Sequence, residues 1–107
     1  MKPPPESEAV FQASIVDLAH LFGWKGYHTY DSRRSQKGFP DYVFAHEEKG
    51  ALLVVEFKSQ KGRLSPEQIM WGAIFQAIAR VNILVFYEVW RPSDRPEIEL
   101  FFKTIGK

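Results

Sequence analysis

Apolar residues recur at steps of three and four between Phe11 and Phe22. This spacing predicts a helix that begins near residues 6–8 and buries one face, and Gly23 is placed to end it. The preceding segment, Met-Lys-Pro-Pro-Pro, contains three consecutive prolines and cannot be helical throughout. We therefore expect residues 1–5 to form a flexible tail, followed by a single domain over residues 6–107.

Three β-prone runs follow this helix, at Trp24–Tyr30, Asp41–Ala45 and Ala51–Lys58. They are rich in aromatic and branched side chains, as strands are. The second and third runs are joined by a short polar segment that ends in Gly50, which predicts a β-hairpin. Between the first two, residues 31–38 contain no large apolar side chain and are expected to form a basic loop.

A second helix is predicted from Ser65, a favourable N-cap followed by Pro66, to about Arg80. Its aromatic and branched residues are interpreted as core or as a subunit interface: Trp71, Ile74, Phe75 and Ile78.

The last third of the chain predicts a strand at Ile83–Trp90 and a short closing helix, introduced by a capping box of Asp94 and Glu97. A strand that follows a helix of this length can return parallel to the third strand. The expected fold is therefore α/β, with elements in the order α-β-β-β-α-β followed by the closing helix. Its mixed central sheet is flanked by helices.

The composition of the chain excludes several kinds of protein and of functional site. The 107 residues are 45% hydrophobic, as in a globular domain, and carry a net charge of only +1. The absence of cysteine excludes disulfides, zinc-thiolate sites and thiol catalysis. His20 and His46 are interpreted as surface or helix-end residues. No apolar run approaches the roughly 20 residues that span a bilayer, and the N-terminus is not a signal peptide, so we expect no membrane association.

The segments Gly38-Phe-Pro-Asp41 and Glu56-Phe57-Lys58 carry the most informative chemistry. Glu56 and Lys58 are two residues apart in a strand and share a face. If the hairpin pairs Asp41 with Glu56, its turn is centred between residues 48 and 49, inside the predicted connection. Two adjacent carboxylates, with the Phe57 carbonyl as a possible third oxygen, suit Mg²⁺, and a neighbouring ammonium can offset charge on a phosphate. These groups predict metal-dependent phosphodiester hydrolysis.

The chain resembles the PD-(D/E)xK nuclease superfamily in having Pro40-Asp41, then fourteen intervening residues, then Glu56-Phe57-Lys58. A longer ordered set resembles its VRR-NUC branch, the virus-type replication and repair nucleases, in the short stand-alone form. That set comprises Glu8, Gly23-Trp24, Tyr27-His28, Asp31-Ser-Arg-Arg-Ser35, Gly38-Phe-Pro-Asp41, Glu56-Phe-Lys-Ser59, Leu64-Ser-Pro-Glu-Gln68 and Trp90-Arg-Pro-Ser-Asp94.

The resemblance implies a restriction-endonuclease-like core in which Asp41, Glu56 and the Phe57 carbonyl bind Mg²⁺ or Mn²⁺ and Lys58 is catalytic. It further implies that Glu8 completes the metal site and that Gln68 supports it. A DNA substrate, a cytoplasmic location and an origin in a phage, prophage or bacterium are implied as well.

Charge distribution predicts where DNA binds. Residues 25–63 contain eight basic and five acidic side chains, a local charge of +3. We expect the phosphate backbone to be held without base reading. The candidate contacts are His28, Arg33, Arg34, Ser35, Lys37, Lys61 and Arg63.

Three functions remain open. The first is a homodimeric, structure-selective endonuclease that resolves Holliday junctions, since two sites related by a two-fold axis match a four-way junction. The second is a nuclease acting on flaps, ends or single strands. The third is a catalytically idle DNA-binding module on the same fold, against which the intact Asp41, Glu56 and Lys58 argue.

Overall fold

The computed structural model describes residues 6–30 and 36–105. Its elements follow the expected order: α1 Glu8–Leu21, β1 Lys25–His28, β2 Tyr42–His46, β3 Ala51–Phe57, α2 Pro66–Val81, β4 Val85–Trp90 and α3 Arg95–Thr104, with a short 3₁₀ turn at Pro92–Asp94 before α3. The predicted tail at residues 1–5 lies outside the described residues, as do residues 31–35. No helix in the described ranges is long and apolar enough to cross a membrane.

The four strands form one mixed sheet in the order β1-β2-β3-β4. β1, β2 and β3 are successively antiparallel, whereas β4 is parallel to β3. The hairpin pairs Tyr42 with Val55 and His46 with Ala51. This is the register expected from the sequence, and both the hairpin and the parallel return of β4 are confirmed.

Helices cover both faces of the sheet. On one face, α1 and α3 enclose an aromatic core in which the Phe11 and Phe57 rings lie 5.8 Å apart and the Trp90 and Phe102 rings 5.7 Å apart. α2 covers the other face, where Phe75 stacks on Tyr87 at 6.2 Å. Because side chains alternate along β3, Phe57 enters the aromatic core while its neighbours face α2.

The starts of α1 and α3 are tied together by Arg95. Its Nη2 lies 3.0 Å from Oε1 of Glu6 and donates to the Ser14 hydroxyl at 3.1 Å. The guanidinium also lies over the Phe11 ring, 5.6 Å from its centre. This contact fixes the beginning of α1, where Glu8 is the first helical residue.

His46 is not a surface residue, contrary to the interpretation from sequence. It is only 9% exposed, and its ring packs edge-on against Trp24. Its Nε2 lies 3.1 Å from the Phe22 carbonyl, and its Nδ1 accepts a hydrogen bond from the Lys49 N–H at 3.3 Å. The histidine is buried because it satisfies backbone groups of the α1 end and the hairpin turn together. His20, in the last turn of α1, is exposed as expected.

The predicted capping box of Asp94 and Glu97 is wrong. Asp94 does precede α3, but its side chain makes no cap hydrogen bond to that helix. Its Oδ2 instead accepts from the Arg91 N–H at 2.9 Å, because the intervening 3₁₀ turn brings Arg91 within reach.

α2 is apolar on two sides, and only one of them meets the sheet. Trp71 and Phe75 pack against Phe39, with ring separations of 5.0 and 5.7 Å. Ile74 and Ile78 are exposed, so the four residues interpreted together divide between two faces. The exposed side, called the outer α2 stripe below, consists of Ile69, Met70, Ala73, Ile74, Ala77, Ile78 and Val81.

Candidate active site

The hairpin register brings Asp41 and Glu56 side by side, since Asp41 precedes Tyr42 and Glu56 follows its partner Val55. The Asp41 carboxylate is anchored, because its Oδ2 accepts from the Phe57 N–H at 2.8 Å. Its backbone is held too, by the Thr29 N–H, which donates to the Asp41 carbonyl at 2.8 Å. The last residue of β3 therefore fixes the Asp41 carboxylate, and the residue after β1 fixes its backbone.

Glu56 is the most deeply buried acidic side chain among the described residues, at 2% exposure. Burial, the charge of Asp41 and a hydrogen bond between the two carboxyl groups raise the pKa of Glu56 from 4.5 to about 9. The Lys58 ammonium opposes this rise, whereas Glu8 adds slightly to it. The metal-free pair thus retains a proton at neutral pH, as expected for two carboxylates that share one site.

Gln68 holds Glu56 from the start of α2. Its Oε1 accepts from the Ser65 N–H at 2.8 Å, and its own N–H donates to the Ser65 hydroxyl at 3.1 Å, a complete capping box. With Oε1 committed to Ser65, Nε2 is directed at Glu56 and donates to Oε2 at 3.1 Å. The residues that start the helix therefore also orient the buried carboxylate.

The segment before Asp41 is packed tightly against α2. Gly38 has a φ of +84°, and a Cβ on it would lie 2.5 Å from the Glu67 backbone. Both the left-handed backbone and the close approach require glycine at this position. Gly38 thereby brings β2 and the start of α2, and with them Asp41 and Gln68, to the same end of the sheet.

Lys58 directly follows β3 and is half-buried. Its N–H donates to the Trp90 carbonyl at 3.0 Å, which extends the parallel pairing of β3 and β4 by one residue. Its ammonium is close enough to lower the pKa of Glu56. Asp41, Glu56, Lys58 and Gln68 are thus brought together at one end of the sheet.

Glu8 is exposed at the first position of α1 and within electrostatic range of Glu56. Among the residues the structure describes, no three acidic, histidine or cysteine side chains are gathered as a metal site. The role of Glu8 as a third ligand therefore stays a prediction.

The predicted DNA contacts are spread around this end of the sheet. His28 is exposed on β1 and stacks on Tyr42 with ring centres 4.8 Å apart. Lys61 and Arg63 are exposed after β3, and Lys37 is exposed with its Nζ 4.0 Å from Glu67. Arg33, Arg34 and Ser35 lie outside the described residues.

Tyr87 is a neighbour of the site that sequence analysis did not single out. Its hydroxyl approaches Gly72 of α2, where a Cβ would lie only 2.6 Å from it. Burial raises the pKa of Tyr87, and the charges of Glu56 and Glu88 raise it further. Tyr87 lies within the apolar run Ile83–Trp90, so the sequence showed no sign of a polar role for it. The one available signal was Gly72, the small residue that faces it from α2.

A mixed sheet that pairs two carboxylates at one strand end, with a lysine beside them, defines a nuclease-type α/β domain. The model of the VRR-NUC domain family matches residues 7–86, and the chain belongs to that family. It is a family of nucleases, which act on DNA. The matched range contains Asp41, Glu56, Lys58 and Gln68. No curated protein and no solved structure matches the chain.

Proposed function

We propose that the protein is a Mg²⁺- or Mn²⁺-dependent, structure-selective DNA endonuclease that works as a homodimer on four-way junctions. The observation that carries the catalytic part is the pairing of half-buried Asp41 with buried Glu56, with Lys58 beside them. A divalent cation can take the place of the proton that two such carboxyl groups share, so the pair is a candidate cation site.

The donor set suits a hard divalent cation. Mg²⁺ is commonly bound through one or two carboxylates and keeps several waters, so Asp41 and Glu56 suffice, with the Phe57 carbonyl and Glu8 as further oxygen donors. A cation held there supplies Lewis acidity and an activated water. Gln68 keeps Glu56 in place, and the Lys58 ammonium offsets the charge that develops on the phosphate.

Exposed cations around the site provide a non-specific grip on DNA. Lys61, Arg63 and Lys37 reach solvent, and the contact of Lys37 with Glu67 is an exposed pair at 4.0 Å that holds it only weakly. These residues are the proposed phosphate contacts, together with His28 and with Arg33, Arg34 and Ser35, which the sequence predicts. Such contacts fix register on the duplex without reading bases.

The outer α2 stripe supports the homodimer. Ile74 is 46% and Val81 80% exposed, and Ile83, just beyond the helix, is 90% exposed. A continuous apolar stripe of this kind typically marks an interface. A second copy is the proposed occupant because a two-fold axis perpendicular to α2 pairs the stripe with an antiparallel copy of itself and gives the enzyme two sites.

Cleavage assays test the catalytic proposal. Purified protein is incubated with Mg²⁺ or Mn²⁺ and a panel of four-way junction, flap, duplex and single-stranded DNA. Paired symmetric nicks in the junction support the proposal. Preferential cutting of flaps, ends or single strands replaces it with the second function, and binding without cleavage replaces it with the idle module.

Two substitutions locate the site. Asp41→Asn and Lys58→Ala are expected to abolish cleavage, whereas Asp17→Asn, the same chemical change on the exposed face of α1, leaves it intact. Cleavage by Asp41→Asn at the wild-type rate would refute the site assignment.

Light scattering tests the dimer. Ile74→Asp is expected to give a folded monomer, because it places a charge in the centre of the stripe. Leu100→Asp makes the same kind of change at an exposed position of α3 and should leave the dimer intact. A wild-type monomer at micromolar concentration would refute this part of the proposal.

A further inference from the structure

A tight turn follows Lys58 directly and lies against its side chain. This Lys58 turn, residues 59–62, is closed by the Gly62 N–H, which donates to the Ser59 carbonyl at 3.2 Å. A Cβ on Gly62 would lie 3.4 Å from Cδ of Lys58 and 2.8 Å from the Ser59 hydroxyl. The Gly62 backbone is therefore packed against the aliphatic part of the Lys58 side chain.

Arg91, the residue directly after β4, holds this turn closed. Its Nη1 donates to the Ser59 carbonyl at 2.8 Å and to the Gly62 carbonyl at 2.6 Å. Arg91 also follows Trp90, whose carbonyl accepts from the Lys58 N–H. The two adjacent residues Trp90 and Arg91 thus fix the backbone of Lys58 and the turn that supports its side chain.

Arg91 is itself held in place. Its N–H donates to Asp94 at 2.9 Å. A second link joins the two segments, because the Gln60 side chain donates to the Ser93 hydroxyl and accepts from the Ser93 N–H, both at 2.9 Å. Gln60 and Ser93 are exposed, so water competes for the hydrogen bonds between them, whereas Arg91 is half-buried. The guanidinium is therefore the stronger of the two links.

We propose that Arg91 is a positioning residue for Lys58: by binding the Ser59 and Gly62 carbonyls it keeps the Lys58 turn packed against the lysine side chain and holds its ammonium near Glu56. This inference rests on the proposed nuclease function. Arg91 lies beyond residues 7–86, the range that the family model matches. The planar guanidinium presents several donors in a fixed fork, and a lysine at position 91 would keep the charge without that geometry.

The test compares Arg91→Met and Arg91→Lys with the wild type in steady-state DNA cleavage. A displacement of the Lys58 ammonium by about 1 Å is expected to lower kcat by roughly 10- to 100-fold. KM should stay within about twofold, since the phosphate contacts of the exposed cations remain. Arg80→Met, which removes an exposed arginine from α2, is the matched control and should leave both constants unchanged.

A second readout does not depend on cleavage. The rate at which an N-hydroxysuccinimide ester acetylates Lys58 is followed by peptide mass spectrometry, with exposed Lys103 as the internal reference. Release of the turn should raise the Lys58 rate several-fold relative to Lys103 in both Arg91 variants. If the wild type cleaves no DNA, the proposed function fails, and this labelling ratio still decides whether Arg91 restrains Lys58.

A lower kcat at constant KM together with faster Lys58 labelling supports the proposal. Unchanged labelling overturns it, as does wild-type kcat in Arg91→Lys, because charge alone would then account for the role of Arg91. If Arg91→Met does not fold, Gly62→Ala decides the question, since its Cβ opens the same turn at Ser59. Wild-type kcat and labelling in Gly62→Ala would overturn the proposal.

Discussion

Replacing Glu56 by glutamine should abolish cleavage and, in the absence of metal, stabilise the fold at alkaline pH. The folded protein keeps the Glu56 proton up to about pH 9, whereas the unfolded chain releases it near pH 4.5. Between these values the folded state binds more protons than the unfolded state, so the free energy of unfolding falls as pH rises. Glutamine does not titrate, and Glu56→Gln removes this dependence.

One proton corresponds to at most about 1.4 kcal/mol per pH unit. From pH 6 to pH 8 the wild type should therefore lose up to about 2.7 kcal/mol relative to Glu56→Gln, which is roughly 10 °C in Tm for a domain of this size. The amide also fits the site. Its N–H can donate to Asp41 in place of the shared proton, while its oxygen accepts from Gln68.

The assay is thermal unfolding followed by circular dichroism, with EDTA present, at several pH values between about 6 and 8. Comparing the two proteins cancels the titration of other groups. Glu48→Gln, the same change at an exposed residue of the hairpin turn, serves as the control and should follow the wild type. A gap in Tm between wild type and Glu56→Gln that does not widen with pH would refute the argument that burial holds the proton on Glu56.

Three further predictions follow from the same contacts. Gln68→Ala removes the bond to Glu56 and the capping box together, so Tm should fall by an amount equivalent to about 1 kcal/mol and cleavage by roughly tenfold, as measured by unfolding and nicking assays. Gly38→Ala, at a φ of +84° and with its Cβ 2.5 Å from the α2 backbone, should lower the free energy of unfolding in urea by at least about 1 kcal/mol. In thermal melts without EDTA, Mg²⁺ at 100 times its Kd should stabilise the wild type by about 2.7 kcal/mol, and Asp41→Asn should lose that stabilisation.

The hairpin and its chemistry were predictable because the information is local. The register depends on two strands and a short turn between them, so the pairing of Asp41 with Glu56 follows once the turn is centred correctly. The Ser65 cap and the direction of β4 were equally accessible, the first from adjacent residues and the second from the length of the intervening helix.

What escaped prediction depends on contacts between distant segments. Both sides of α2 are apolar, so periodicity alone could not assign Trp71 to the contact with Phe39 and Ile74 to solvent. The burial of His46 requires the Phe22 carbonyl, 24 residues earlier in the chain. The two carbonyls bound by Arg91 lie about 30 residues before it, and nothing in the segment Trp90–Asp94 indicates them.

α2 joins the two halves of the proposed mechanism in one element. Its first turn carries Gln68, which orients Glu56, while its outer stripe is the proposed contact with a second copy. With 16 residues α2 is about 24 Å long, so two copies packed antiparallel along the stripe would hold their Gln68 ends at opposite ends of the helix pair. Each site would then meet a different strand of a branched DNA, and because α2 is anchored to the site at Gln68, the spacing of the two cuts would be set by the same helix that orders each active site.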